Sequence, residues 1–213
     1  MHANTHEADR APGPHRKSTV LVVDDHHAVR LGVEALLENE PDVARVHTAD
    51  SCSEALSIVE REAPDVAIVD FHLPDRDGLT LTRLLKGAVD PPQVLIYSAY
   101  ADQRLELAAL IAGADGILSK AVLGAELCDR VKLLRRGRST SFSVSASTLA
   151  AVSHQLDIDD RPIVGLLAAG TPPDEIASVL AVSEEWLDAR RWAMLQQLKA
   201  SPRRRGQRRN PLR

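Results

Sequence analysis

A chain of 213 residues with 44% apolar but only 3% aromatic residues must pack its core with Val, Leu, Ile and Ala, as one large domain or two modest ones. Cys52 and Cys128 are its only cysteines, which excludes a disulfide scaffold or a zinc cluster and suits a reducing compartment. No apolar run approaches the ~18 residues of a membrane span, and the N-terminus lacks the apolar stretch of a secretory signal, so a cytoplasmic protein with no membrane partner is expected.

The net charge of −4 is uneven. Residues 18–138 hold 13 basic against 20 acidic groups, while the last twelve residues hold six Arg and no acid. Residues 1–17 are polar, with Pro12, Gly13 and Pro14, and read as a disordered tail.

From Thr19 the element types alternate. Thr19–Val23 reads as a buried strand ending in Asp24-Asp25. His26–Asn39 has helical spacing, with Val29, Val33, Leu36 and Leu37 on one face. Val43–Thr48 is the second strand, and Ser53 is placed to cap a helix whose Ala55, Leu56 and Val59 face inward. Val66–Val69 is short, apolar and rich in β-branched residues, the mark of a fully buried strand, and it ends in Asp70. Pro74 and Asp77-Gly78 make a turn into a helix over Leu79–Lys86. Val94–Tyr97 is a fourth strand, ending in Ser98. A helix over Asp102–Ala112 stops at Gly113, Gly116–Ser119 is a fifth strand ending in Lys120, and Gly124–Arg136 is the last helix.

Five strands alternating with five helices over about 120 residues predict an α/β fold. The expected form is a flavodoxin-like, doubly wound, five-stranded parallel sheet with helices on both faces. In such a sheet Asp24, Asp25, Asp70, Ser98 and Lys120 all fall at one edge. Three carboxylates together repel one another unless a cation joins them. Oxygen-only ligands select a hard ion, and Mg²⁺ suits one or two carboxylates plus a phosphate. A carboxylate is also a nucleophile able to become an aspartyl-phosphate, with Lys120 and the metal neutralising the transferred group.

Val23-Asp24-Asp25-His26, Asp70-x-x-Leu73-Pro74-x-x-Asp77-Gly78, Ser98-Ala99, Gly113-Ala114-Asp115-Gly116 and Ser119-Lys120 together resemble the receiver domain of a two-component response regulator. The resemblance covers Ser18–Arg138. It implies that Asp70 accepts phosphate from a sensor histidine kinase. It also implies that Asp25 binds Mg²⁺ directly, Asp24 through water and His72 through its main-chain carbonyl, and that Ser98 and Lys120 contact the phosphoryl group. One mark departs: the family places Tyr or Phe three residues before the last Lys, and here Ile117 stands there.

Residues 139–156 read as a Ser-rich linker, with a short helix over Ala146–Leu156. Beyond it, over 157–201, three short helices are expected. Their apolar faces are Ile163, Leu166 and Leu167; Ile176, Ala177, Val179 and Leu180; and Leu187, Met194, Leu195 and Leu198. Ser183 caps the third. Their spacing resembles the LuxR-type helix-turn-helix domain, and receiver plus this module resembles the NarL/FixJ response regulators. The reading helix departs from the family: Trp186-Leu-Asp188-Ala-Arg190 stands where the family carries Thr-Val-Lys-x-His. Residues 202–213 read as a basic disordered tail.

Two functions remain open from sequence. One is a phosphorylation-controlled transcription regulator, in which Arg190, Arg191, Arg203, Arg204 and Arg205 supply the phosphate contacts to DNA. The other is a phosphorylation-switched protein-interaction module, with Trp186 and Trp192 as exposed anchors. Neither is an enzyme beyond its own phosphoryl transfer and dephosphorylation. Homodimerisation is compatible with both.

Overall fold

The computed structural model describes residues 17–122, 124–137, 142, 144, 147–148 and 156–200. The chain divides into two units between Thr148 and Leu149. The two expected tails, apart from Lys17, and nearly all of the expected linker with its short helix, lie outside the described residues.

The first unit carries β1 (Ser18–Val23), β2 (Val43–Ala49), β3 (Val66–Val69), β4 (Gln93–Ser98) and β5 (Gly116–Ser119). All pairings are parallel and the order is β2-β1-β3-β4-β5, the expected flavodoxin-like sheet. Between them run α1 (His27–Glu38), α2 (Cys52–Glu62), α3 (Gly78–Lys86), α4 (Gln103–Ala112) and α5 (Gly124–Arg135). β1 and β3 are neighbours, with Val23 opposite Val69. The chain therefore reverses its winding direction between them, which opens a crevice beyond their carboxyl ends.

Every side chain of β3 is buried. A strand enclosed on both faces cannot alternate, which is why Val66–Val69 is an unbroken apolar run. Val20, Val22, Val66, Ile68, Leu95 and Leu118 pack on one face against α1 and α5, through Val33, Leu37, Leu127, Val131 and Leu134.

Side-chain caps set the starts of α2, α3 and α4. Asp77 Oδ1 accepts from the N–H of Thr80 at 2.9 Å, and Asp102 Oδ1 from that of Leu105 at 2.8 Å. At α2 the cap is Ser51, not Ser53: Ser51 Oγ accepts from the Glu54 N–H at 3.4 Å. The Cys52 and Ser53 N–H groups donate instead to the two oxygens of Asp75, each at 2.9 Å, from the loop after β3. Starting α2 one residue after Ser51 turns Cys52, Ala55 and Ile58 inward, and leaves Leu56 and Val59 only half-buried. Leu36 likewise leaves the expected core face of α1 and is 42% exposed. Gly113, at φ +94°, ends α4 in the left-handed region.

The second unit holds a 3-10 turn (Ile158–Asp160), α6 (Arg161–Ala168), α7 (Pro173–Leu180) and α8 (Glu184–Ala200). Pro173 opens α7, where a missing N–H is harmless. Ser183 Oγ accepts from the Trp186 N–H at 3.1 Å, as the sequence reading expects. Ile163, Val164, Leu167, Ile176, Ala177, Leu187, Met194, Leu195 and Leu198 form the small core. Val179 does not join it and is 68% exposed. Ile176 and Ala177 set the inward direction of α7, and Val179 lies roughly 110° off it at helical spacing. Trp192 is half-buried, with Lys199 Nζ 5.3 Å from its ring centroid, so of the two tryptophans only Trp186 is exposed.

Candidate phosphoacceptor and metal site

Two ladder bonds carry the chain past the ends of β1 and β3. The Asp24 N–H donates to Ala49 O at 3.1 Å, and the Asp70 N–H to Val23 O at 2.8 Å. Asp24 and Asp70 thus face each other at the winding switch, 2% and 4% exposed. Ser98 at the end of β4 is fully buried, and its carbonyl accepts from the Lys120 N–H at 2.9 Å, which brings Lys120 to the same rim.

Lys120 Nζ lies 2.5 Å from Asp24 Oδ2 and 3.0 Å from Asp70 Oδ2. Burial pushes the ammonium towards deprotonation, but its hydrogen bonds to Asp24 and Asp70 outweigh burial and raise its pKa above the ordinary 10.5. It is charged at neutral pH. Ser98 Oγ accepts from the Tyr100 N–H at 3.2 Å, and a hydroxyl that accepts still has its own proton to donate.

Asp24, Asp25, His26 and Asp70 each offer a ligand atom, and all of these atoms lie within 4.8 Å of one another. One ammonium does not balance three carboxylates, two of them buried, so the donor set fits a hard divalent cation such as Mg²⁺. Asp24, Asp25 and Asp70 are the residues that would hold it. His26 enters the cluster as well, with Nδ1 2.5 Å from Asp25 Oδ1. Its N–H donates to Asp24 Oδ1 at 2.9 Å. The sequence reading placed His26 only beside the aspartate pair, with no ligand role. The imidazole of His72 is exposed and stacks edge-on with Phe71 and Tyr100, at centroid distances of 4.6 and 6.3 Å. Its side chain is not among the clustered ligands.

Gly78 is part of the site in a way that motif spacing alone does not reveal. A Cβ at Gly78 would lie 2.1 Å from the carbonyl oxygen of Asp70. Its N–H donates to Phe71 O at 2.8 Å, folding the loop back against the acceptor strand. Ile117 is half-buried on β5, its neighbour Leu118 pointing to the opposite face. Tyr97 sits in the α1–α5 core, and burial pushes its hydroxyl pKa above 10.0.

In the second unit Arg190 is engaged by two carboxylates. Its Nη2 donates to Asp157 Oδ2 at 2.8 Å and its Nε to Asp160 Oδ1. Asp160 is fully buried, so Arg190 ties α8 to the start of α6. The hydrogen bond to Asp160 outweighs burial and raises its pKa above the ordinary guanidinium range. Arg191 is half-buried. Arg203, Arg204 and Arg205 lie outside the described residues. The first turns of α8 expose Glu184, Glu185, Trp186 and Asp188.

A doubly wound sheet with an acidic, lysine-closed rim at its switch point defines a receiver domain, and residues 20–132 match the family model described as the response regulator receiver domain. The chain belongs to this family, the response regulators. The DNA-binding transcriptional activator DevR/DosR of Mycobacterium tuberculosis is 34% identical over 176 residues, 78% of this chain and 81% of the relative. The nitrate/nitrite response regulator NarL of Escherichia coli is 26% identical over 198 residues, covering 87% and 91% of the two chains. Among solved structures, a LuxR-family two-component response regulator from Aurantimonas sp. SI85-9A1 superposes with a TM-score of 0.57 at 28% identity, over 65% of this chain and 99% of that one. Among the described residues no helix is long and apolar enough to cross a membrane.

Proposed function

We propose that the protein is a cytoplasmic response regulator phosphorylated on Asp70 by a histidine kinase, whose C-terminal unit passes the signal to DNA. The observation that carries this reading is the single ammonium of Lys120 shared by Asp24 and Asp70. An Asp70 oxygen attacks the phosphorus of a phosphohistidine. The P–N bond breaks, and its electron pair stays on the imidazole, which takes a proton from solvent. Lys120 and the Ser98 hydroxyl stabilise the added phosphoryl oxygens. Asp24, Asp25, Asp70 and the His72 carbonyl would hold Mg²⁺, which would supply further charge neutralisation. Hydrolysis of the aspartyl-phosphate resets the switch, and the protein acts on no other substrate.

The relatives named above are regulators of transcription, which favours DNA as the output. Arg190 is engaged within its own unit, so the phosphate contacts fall to Arg191 and to Arg203, Arg204 and Arg205. The test is a gel shift on a genomic fragment library, with and without acetyl-phosphate and Mg²⁺. Shifts that strengthen with the phosphoryl donor and vanish with salt support the reading. A second reading, a phosphorylation-switched interaction module, is favoured by the exposed Glu184, Glu185 and Trp186 at the start of α8. It predicts no duplex binding even at low salt. A homodimer fits either reading.

A further inference from the structure

One peptide group joins the two aspartates of the acidic rim, Asp24 and Asp25. Asp24 is fixed at its N–H by Ala49 O, at Oδ1 by the His26 N–H and at Oδ2 by Lys120. Its carbonyl lies beyond the end of β1, where the ladder stops. Arg30, one turn into α1, reaches back and donates from Nη1 to that carbonyl at 2.6 Å. Its Nη2 lies 3.5 Å from His27 Nδ1 on the same helix. Arg30 is half-buried, and its main-chain N–H donates to His26 O at 3.1 Å, so both ends of the residue grip the loop that carries the two aspartates.

We propose that Arg30 is a positioning residue of the metal site, holding the Asp24–Asp25 peptide so that both carboxylates face Asp70. This rests on the phosphoacceptor reading above. Arg30 touches neither the acceptor carboxylate nor Lys120 in any contact described, so it acts on metal affinity and not on the chemical step. A planar donor anchored on a helix suits this work, because residues that orient metal ligands set affinity by limiting how far those ligands stray.

The test uses the full chain with Arg30→Met and Arg30→Lys. Mn²⁺ binding is followed by the electron paramagnetic resonance of the free ion, with no phosphoryl donor present. Labelling by acetyl-phosphate is then measured across a Mg²⁺ titration, and heat melts without metal register any damage to the fold. Arg30→Met is expected to raise the half-saturating concentration of both ions about tenfold, with the labelling rate at saturating Mg²⁺ unchanged. Arg30→Lys, which still carries a donor to the carbonyl, is expected to recover most of the affinity. Wild-type Mn²⁺ affinity in Arg30→Met, or an Arg30→Lys variant as weak as Arg30→Met, overturns the assignment. If the wild-type chain itself binds no Mn²⁺, the metal site falls first and the role of Arg30 falls with it.

Discussion

Gly78 comes so close to Asp70 that a single added methyl would sit 2.1 Å from the Asp70 carbonyl oxygen. The contact is backbone against backbone, so no side chain can swing away to relieve it. Gly78→Ala is therefore expected to push the end of β3 and to lower stability by about 2 kcal/mol, the scale of overpacking a tight interior. Urea melts check the stability. Slower labelling by acetyl-phosphate at temperatures where the variant is folded checks that the acceptor has moved.

Lys120 is the one cation, among the described contacts, that both buried aspartates share. Removing it as Lys120→Met leaves Asp24 and Asp70 facing each other, and is expected to cost about 3 kcal/mol at pH 7. The pH dependence has a definite sign. The folded-state pKa is raised, so the contribution of Lys120 is full below the unfolded value of 10.5 and is lost as pH rises through the folded value. The gap between wild type and Lys120→Met in urea should hold from pH 7 to 10 and close above about pH 10.5. A gap independent of pH would remove the ion pair from the account.

Arg190 offers a separation of roles. As an internal tie, its loss strands a buried Asp160, and Arg190→Met should destabilise the C-terminal unit by about 3 kcal/mol. Both tryptophans of the chain lie in α8, so tryptophan emission follows the unfolding of this unit alone. A variant that melts like wild type and only binds DNA more weakly would make Arg190 a DNA contact and not an internal tie.

Ala63 ends α2 in the left-handed region at φ +42°, where a Cβ is strained. Ala63→Gly is expected to stabilise the first unit by about 0.5 kcal/mol, the relief of strain exceeding the extra freedom of the unfolded chain. The readout is the urea midpoint followed by circular dichroism.

The sheet was legible because its evidence is local. Val66–Val69 is apolar without a break, and Gly113 and Asp102 bracket α4 by their own turn and cap chemistry. The rim was legible because a parallel sheet brings every strand's carboxyl end to one side, whatever the helices do. What escaped was non-local. Ser53 reads as the cap, but Asp75, more than twenty positions away, accepts from the N–H groups of Cys52 and Ser53. The tie between Arg190 and Asp160 was hidden because the two stand thirty residues apart in the chain. Arg30 carries no motif at all, since its function is to meet a carbonyl, which every residue has.

The most direct measurement is the site of phosphoryl transfer. The full chain is incubated with acetyl-phosphate and Mg²⁺, the acyl phosphate is trapped by borohydride reduction, and the modified peptide is sequenced by mass spectrometry. Modification at Asp70, absent in Asp70→Asn and absent when Mg²⁺ is chelated, is the predicted result. Modification elsewhere in the chain, or undiminished labelling of Asp70→Asn, would contradict it.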